Sequence, residues 1–281
     1  MTKFIADVCS NHNQDINRAK ELIIAAKDAG CYAVKFQLFK GEKLYAPEFP
    51  VRVEAAKKQE LPLDFIPKIY AICQDVGIEF HCTPFDIESV KILDPFVNQF
   101  KIGSYEILYL KLIEACANTG KPLGISFGNY NLIEEINRAL IALSHTMDLM
   151  DLTIYHCVSK YPAKAEDCNM HDILMFLNKY YTGSIGWSDH TVQSGVIFAA
   201  IKEGAEFIEF HLDLEDGKGS EYHHGHCWKP SQIKQVIYDV IIMEKAFNHI
   251  SINFTEINKW RTDPEDGMRP LQQYRKELSN D

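Results

Sequence analysis

The chain has 281 residues, 46% of them hydrophobic, and carries a formal net charge of -10. That length allows one large buried core and suits an α/β barrel without division in two, and the acidic balance excludes a protein that grips nucleic-acid phosphates through a basic face. The eight cysteines form no CxxC pair or disulfide framework, and no apolar run approaches 18 residues, so the reading is a cytoplasmic protein with no nucleic-acid or membrane partner.

Eight short β-branched or aromatic runs follow in chain order: FIADVC (4–9), YAVKFQ (32–37), IEFHC (78–82), QFKIG (99–103), PLGIS (122–126), LTIYHC (152–157), SIGWS (184–188) and FIEFHL (207–212). Segments of helical periodicity separate them, such as Ile16, Ala19, Ile23 and Ala26, or Leu132, Ile133, Ile136, Leu140 and Leu143. Gly30, Gly77, Gly120 and Gly204 stand just before strands, where a left-handed helix cap suits glycine. Repeated βα units predict a (β/α)8 barrel, an α/β fold of the TIM type, over residues 1–250. An open doubly wound sheet is the structural alternative. The polar remainder, 251–281, reads as a short C-terminal tail.

In such a barrel the reactive groups stand at the C-terminal ends of the strands. There the sequence places Asp7, then Lys35 and Gln37, Thr83, Lys101 with Ser104 and Glu106, Ser126, Ser159 with Tyr161, Ser188 with Asp189 and His190, and Glu209 with His211. A lone serine after a strand is usually a helix cap. Lys35 and Lys101 differ, because each interrupts an apolar strand where an unpaired ammonium is costly. Lysines and hydroxyls at one mouth suit a small molecule carrying phosphate and carboxylate. His190 and His211 end adjacent strands and could share one hard or borderline divalent ion, or be structural histidines. The segment GSEYHHGHCWKP (219–230), with His223, His224, His226 and Cys227, fits a second metal site, a lid or a plain structural loop.

Six motifs together resemble the catalytic barrel of the N-acetylneuraminate (sialic acid) synthase family: IADVCSNHNQD (5–15), AVKFQLFK (33–40), CTPFD (82–86), FKIGSYEI (100–107), HCVSKYP (156–162) and IGWSDHT (185–191). The resemblance implies a transferase condensing phosphoenolpyruvate with an N-acetylmannosamine-like aldose to give a sialic-acid-like nonulosonate and phosphate. It implies phosphoenolpyruvate binding by Lys35, Thr83, Lys101, Ser104, Ser126 and Ser188. Gln37, Ser159, Tyr161 and Glu221 would meet the sugar. His190 and His211 would hold a divalent metal, manganese in typical members, with magnesium or cobalt as alternatives. Asp7, Glu209 and Glu106 would carry the proton chemistry, and a homodimer is compatible with the family pattern. The sequence departs from that pattern in places. Asp7 stands where the family has glutamate, Ser159 where it has asparagine, and Glu221 where it has the aspartate of a G-P-D segment. The family's antifreeze-like C-terminal domain has no counterpart here, and RTDPEDGMRPL, with Arg261 and Arg269, is too short to replace it. A different aldose, or a binding relative with altered catalysis, are the competing expectations.

Overall fold

The computed structural model describes residues 1–128, 132–143 and 146–247. Two compact units divide the chain at 241/242, and the described part of the second is the last six residues of the final helix. The expected tail, 251–281, lies outside the described residues.

The barrel strands are β1 (Lys3–Cys9), β2 (Ala33–Leu38), β3 (Glu79–Pro84), β4 (Gln99–Ile102), β5 (Leu123–Phe127), β6 (Leu152–Cys157), β7 (Ser184–Asp189) and β8 (Phe207–Leu212). Each pairs in parallel with the next, and β8 pairs back onto β1, so the sheet closes as the sequence predicts. Helices cover the crossovers: α1 (Ile16–Ala29), α4 (Phe65–Val76), α5 (Ile87–Leu93), α6 (Leu110–Ala117), α7 (Leu132–Leu143), α8 (Met170–Tyr180), α9 (Ser194–Lys202) and, after the last strand, α10 (Pro230–Phe247). All four glycines before the strands are left-handed, with φ of 99° at Gly30 and Gly204, 73° at Gly77 and 74° at Gly120; Gly30 and Gly77 are the C-caps of α1 and α4, while Gly120 and Gly204 follow the caps Asn118 and Glu203. Three elements lack a strong sequence signal. Two short helices, α2 (Gly41–Leu44) and α3 (Pro50–Lys57), lengthen the β2–β3 connection, and a two-residue strand, β9 (Cys227–Trp228), pairs with β8.

The period-two alternation of the strands explains how one sequence builds both a core and a site. Phe4, Ala6 and Val8, Val34 and Phe36, Phe80 and Cys82, Ile185 and Trp187, and Ile208 and Phe210 belong to the large buried cluster beneath the helices. The intervening residues form the barrel interior. A separate apolar cluster of Ile5, Ala33, Tyr155 and Phe207 occupies it. The Tyr155 ring fits because β5 and β7 offer glycines beside it: a Cβ at Gly124 would lie 2.9 Å from Tyr155 Cε2, and one at Gly186 would overlap the same ring. One alternation step further along β1, β2 and β8 come Asp7, Lys35 and Glu209, and polar groups replace apolar ones.

Candidate active site

A cavity of about 470 Å³ opens at the C-terminal ends of the strands. Its wall brings together thirteen residues singled out from the sequence: Asp7, Lys35, Gln37, Thr83, Lys101, Ser104, Glu106, Ser126, Tyr161, Ser188, His190, Glu209 and His211. Strand register does this work, setting Asp7 opposite both Lys35 and His211, and Ser188 opposite Glu209.

The two lysines are nearly sealed from water and differ in their partners. Lys35 Nζ donates to Asp7 Oδ2 at 2.6 Å and Thr83 Oγ1 at 3.3 Å, and lies 3.9 Å from Glu209 Oε1. Burial works against its charge, but Asp7 and Glu209 hold the ammonium above its ordinary range. Lys101 Nζ donates to Ser126 Oγ at 2.6 Å and the Ile102 carbonyl at 3.1 Å, with Glu209 Oε1 at 3.7 Å. With no carboxylate as close, burial pushes Lys101 below its ordinary value against the pull of Glu209.

The carboxylates divide likewise. Burial would raise Asp7, yet Lys35 and His211 keep it below the usual range, and it also accepts from Gln37 Nε2 and the Cys9 amide. Glu209 Oε1 accepts from Ser188 Oγ at 3.1 Å, whereas Glu209 Oε2 is buried without a hydrogen-bond partner among the described residues. Burial raises Glu106, which stands in a single 3-10 turn after β4.

His190 Nδ1 lies 2.7 Å from the Val158 carbonyl and His211 Nδ1 lies 3.0 Å from Glu221 Oε2. Acceptors at both Nδ1 atoms place a ring proton there, so the neutral form of each ring carries its lone pair at Nε2. The rings are 5.4 Å apart, and burial pushes His190 down to about 3, so it stays neutral at ordinary pH. Burial works against a charge on His211, but Glu221 and Asp7 raise it above its ordinary value, so an ion on the two Nε2 atoms would displace its second proton. Two imidazoles oriented from behind, beside oxygen donors, fit a divalent ion.

Two expected sugar contacts fall off this wall. Ser159 Oγ pairs with Ser104 Oγ at 2.8 Å, and Glu221 is turned to His211 Nδ1 and Cys9 Sγ, where it serves as an acceptor within the protein. Other residues join the wall: Phe85, Tyr105 and Cys157 lie within the motifs quoted above, whereas nothing in the sequence marks Tyr45 and Arg52. The Arg52 guanidinium lies 5.9 Å over Tyr45 and 5.7 Å over Phe49, on the insertion holding α2 and α3, whose position at the mouth is purely tertiary. Asp189, at the end of β7, is structural: it accepts from Trp187 Nε1, Thr191 Oγ1, the Val192 amide and Trp228 Nε1. Among the described residues no helix is long and apolar enough to cross a membrane.

A closed parallel barrel with ionisable groups gathered at the strand C-termini defines a (β/α)8-barrel enzyme site. The NeuB family model matches residues 22–251, and the chain belongs to that family. It is 32% identical over 258 residues to N,N'-diacetyllegionaminic acid synthase of Legionella pneumophila, covering 85% of this chain and 72% of that one. It is 30% identical over 226 residues to pseudaminic acid synthase of Helicobacter pylori, covering 75% and 66%. Among solved structures, the N-acetylneuraminic acid synthetase of Leptospira borgpetersenii, in complex with citrate, superposes with a TM-score of 0.82 at 26% identity, covering 93% and 92%. These relatives make the chain an enzyme of the sugar-acid synthase type.

Proposed function

We propose that the chain condenses phosphoenolpyruvate with an N-acetylmannosamine-like aldose, giving a nine-carbon 2-keto acid of the sialic type and inorganic phosphate. The observation that carries this reading is the pair of buried lysines, Lys35 and Lys101, on one wall with the hydroxyls of Thr83, Ser104, Ser126 and Ser188. Two ammonium groups in a low-dielectric pocket match a ligand with a carboxylate and a phosphate, and the hydroxyls supply directed donors.

A divalent ion on the Nε2 atoms of His190 and His211 would supply Lewis-acid polarisation of the aldehyde oxygen. The protein's own groups then hold and position. Lys35 and Lys101 neutralise the enol phosphate so that its C3 can approach the aldehyde carbon. Water adds at C2 of phosphoenolpyruvate, and its proton needs an acceptor. Asp7 is already engaged by Lys35, Gln37 and the Cys9 amide, whereas Glu209 keeps a free Oε2, so Glu209 suits that role better. Glu106, raised by burial, suits a proton donor as the tetrahedral carbon loses phosphate through C–O cleavage. Gln37 and Tyr161 line the same cavity, which supports a role for them in meeting the sugar.

The test is phosphate release from phosphoenolpyruvate with a panel of aldoses, with and without manganese. Release with an acetamido-hexose, lost on chelation and in His190→Ala, is the expected result. No release with any acetamido-hexose refutes the reading.

A further inference from the structure

Lys101 is a buried cation whose hydrogen-bond partners are both neutral. Its ammonium donates to Ser126 Oγ and the Ile102 carbonyl, while the charged and titratable groups around it stand further off: Glu209 Oε1 at 3.7 Å, with Lys35, Asp7 and Cys157 acting on it through space. The ammonium also lies over the ring face of Tyr155, 4.9 Å from its centroid. Lysine and tyrosine are 3% and 0% exposed, and a desolvated ring face attracts a cation more strongly than one in water.

Two glycines permit that approach. Tyr155 stands opposite Ser126 of β5 and Gly186 of β7, and Lys101 stands opposite Gly124 of β5. A Cβ at Gly124 would lie 2.8 Å from Lys101 Cδ and 2.9 Å from Tyr155 Cε2, and one at Gly186 would overlap the ring. A side chain at either position would push the ring or the lysine stem aside.

We propose that Tyr155 is a positioning residue: its ring face seats the Lys101 ammonium in the cavity wall and leaves that charge free for an anionic group of the substrate. A carboxylate in the same place would stabilise the cation by pairing with it, as Asp7 does with Lys35, and would then compete with an incoming anion. The quadrupole of a ring stabilises the ammonium without forming that pair. That the anion belongs to phosphoenolpyruvate rests on the function proposed above; the seating of Lys101 does not.

Graded weakening of the ring face tests this in the full chain. Tyr155→Phe keeps the face, and phenylalanines with one, two and three ring fluorines at the same position drain it of charge with little change of shape. Relative to Tyr155→Phe, KM for phosphoenolpyruvate should rise stepwise, roughly 10-fold over the series, with kcat changing little. In parallel the titration midpoint of Lys101, followed by NMR of lysine labelled with carbon-13 at Cε and assigned with Lys101→Met, should fall, because the ring no longer offsets burial. A midpoint unmoved across the series overturns the proposal, as does a moving midpoint with an unchanged KM. A wild type without affinity for phosphoenolpyruvate removes the function proposed above; a falling midpoint then still supports the seating of Lys101 on Tyr155, and a fixed one overturns it.

Discussion

Asp7→Asn isolates the electrostatic centre of the barrel. The side chains of Asp7 and Lys35 are 2% and 3% exposed and meet at 2.6 Å. Taking the charge from one member of a buried pair typically costs about 3–5 kcal/mol, because the other is left in low dielectric. Here the asparagine oxygen can still accept from Gln37 or the Cys9 amide, and Glu209 stays 3.9 Å from Lys35, which sets the expected loss near the low end, about 3 kcal/mol. For a domain of this size that corresponds to a fall in Tm of roughly 6–12 °C. Denaturant unfolding at pH 7 measures it, with Asp7→Asn/Lys35→Met as the companion in which both charges are gone and most of the loss should return. The pH dependence has a definite sign. Asp7 sits below its ordinary pKa in the folded state, so its contribution is complete above about pH 4, the unfolded value, and disappears as pH falls through the folded one. The gap between wild type and Asp7→Asn should therefore narrow below about pH 4. A single mutant within about 0.5 kcal/mol of wild type at pH 7, or a double mutant less stable than the single, refutes this account of the pair.

Lys101→Met keeps the aliphatic stem and removes the charge; phosphate release from phosphoenolpyruvate should fall by about 10²–10³ in kcat/KM, and a loss under threefold would remove Lys101 from the proposed role. At Gly124 a Cβ would lie 2.8 Å from Lys101 Cδ and 2.9 Å from Tyr155 Cε2, so Gly124→Ala should cost about 1–3 kcal/mol in urea unfolding as two packed side chains shift. Asp189→Ala leaves four donors without their acceptor in a fully buried site and should destabilise by roughly 3 kcal/mol or more, read by thermal melting; a change under 1 kcal/mol would mean that water replaces the carboxylate.

The strands were legible because each is a compact apolar run bounded by turn residues, and their observed limits lie within two residues of the expected ones, with β6 and β8 matching them. The wall was legible for a related reason. Once a strand is buried on both faces, a lysine such as Lys35 or a glutamate such as Glu209 has few places to go except the polar end of the interior. What escaped was non-local. Nothing in the spacing of Cys9 and Glu221, 212 residues apart, announces their contact. The same holds for Arg52, whose place at the mouth depends on how two short helices fold over it. Ser159 and Glu221 sit at the expected strand and loop ends, but local hydrogen bonds to Ser104 and His211 turn them from the cavity. Side-chain direction beyond a strand end is set by such partners.

The Tyr155 ring, seated between Gly124 and Gly186 with Ile5, Ala33 and Phe207 around it, acts on traffic as well as on packing. It stoppers the barrel beneath the lysines and turns a tube into a vessel with one door. The polar groups of the interior are thereby confined to the strand C-termini, where the cavity opens.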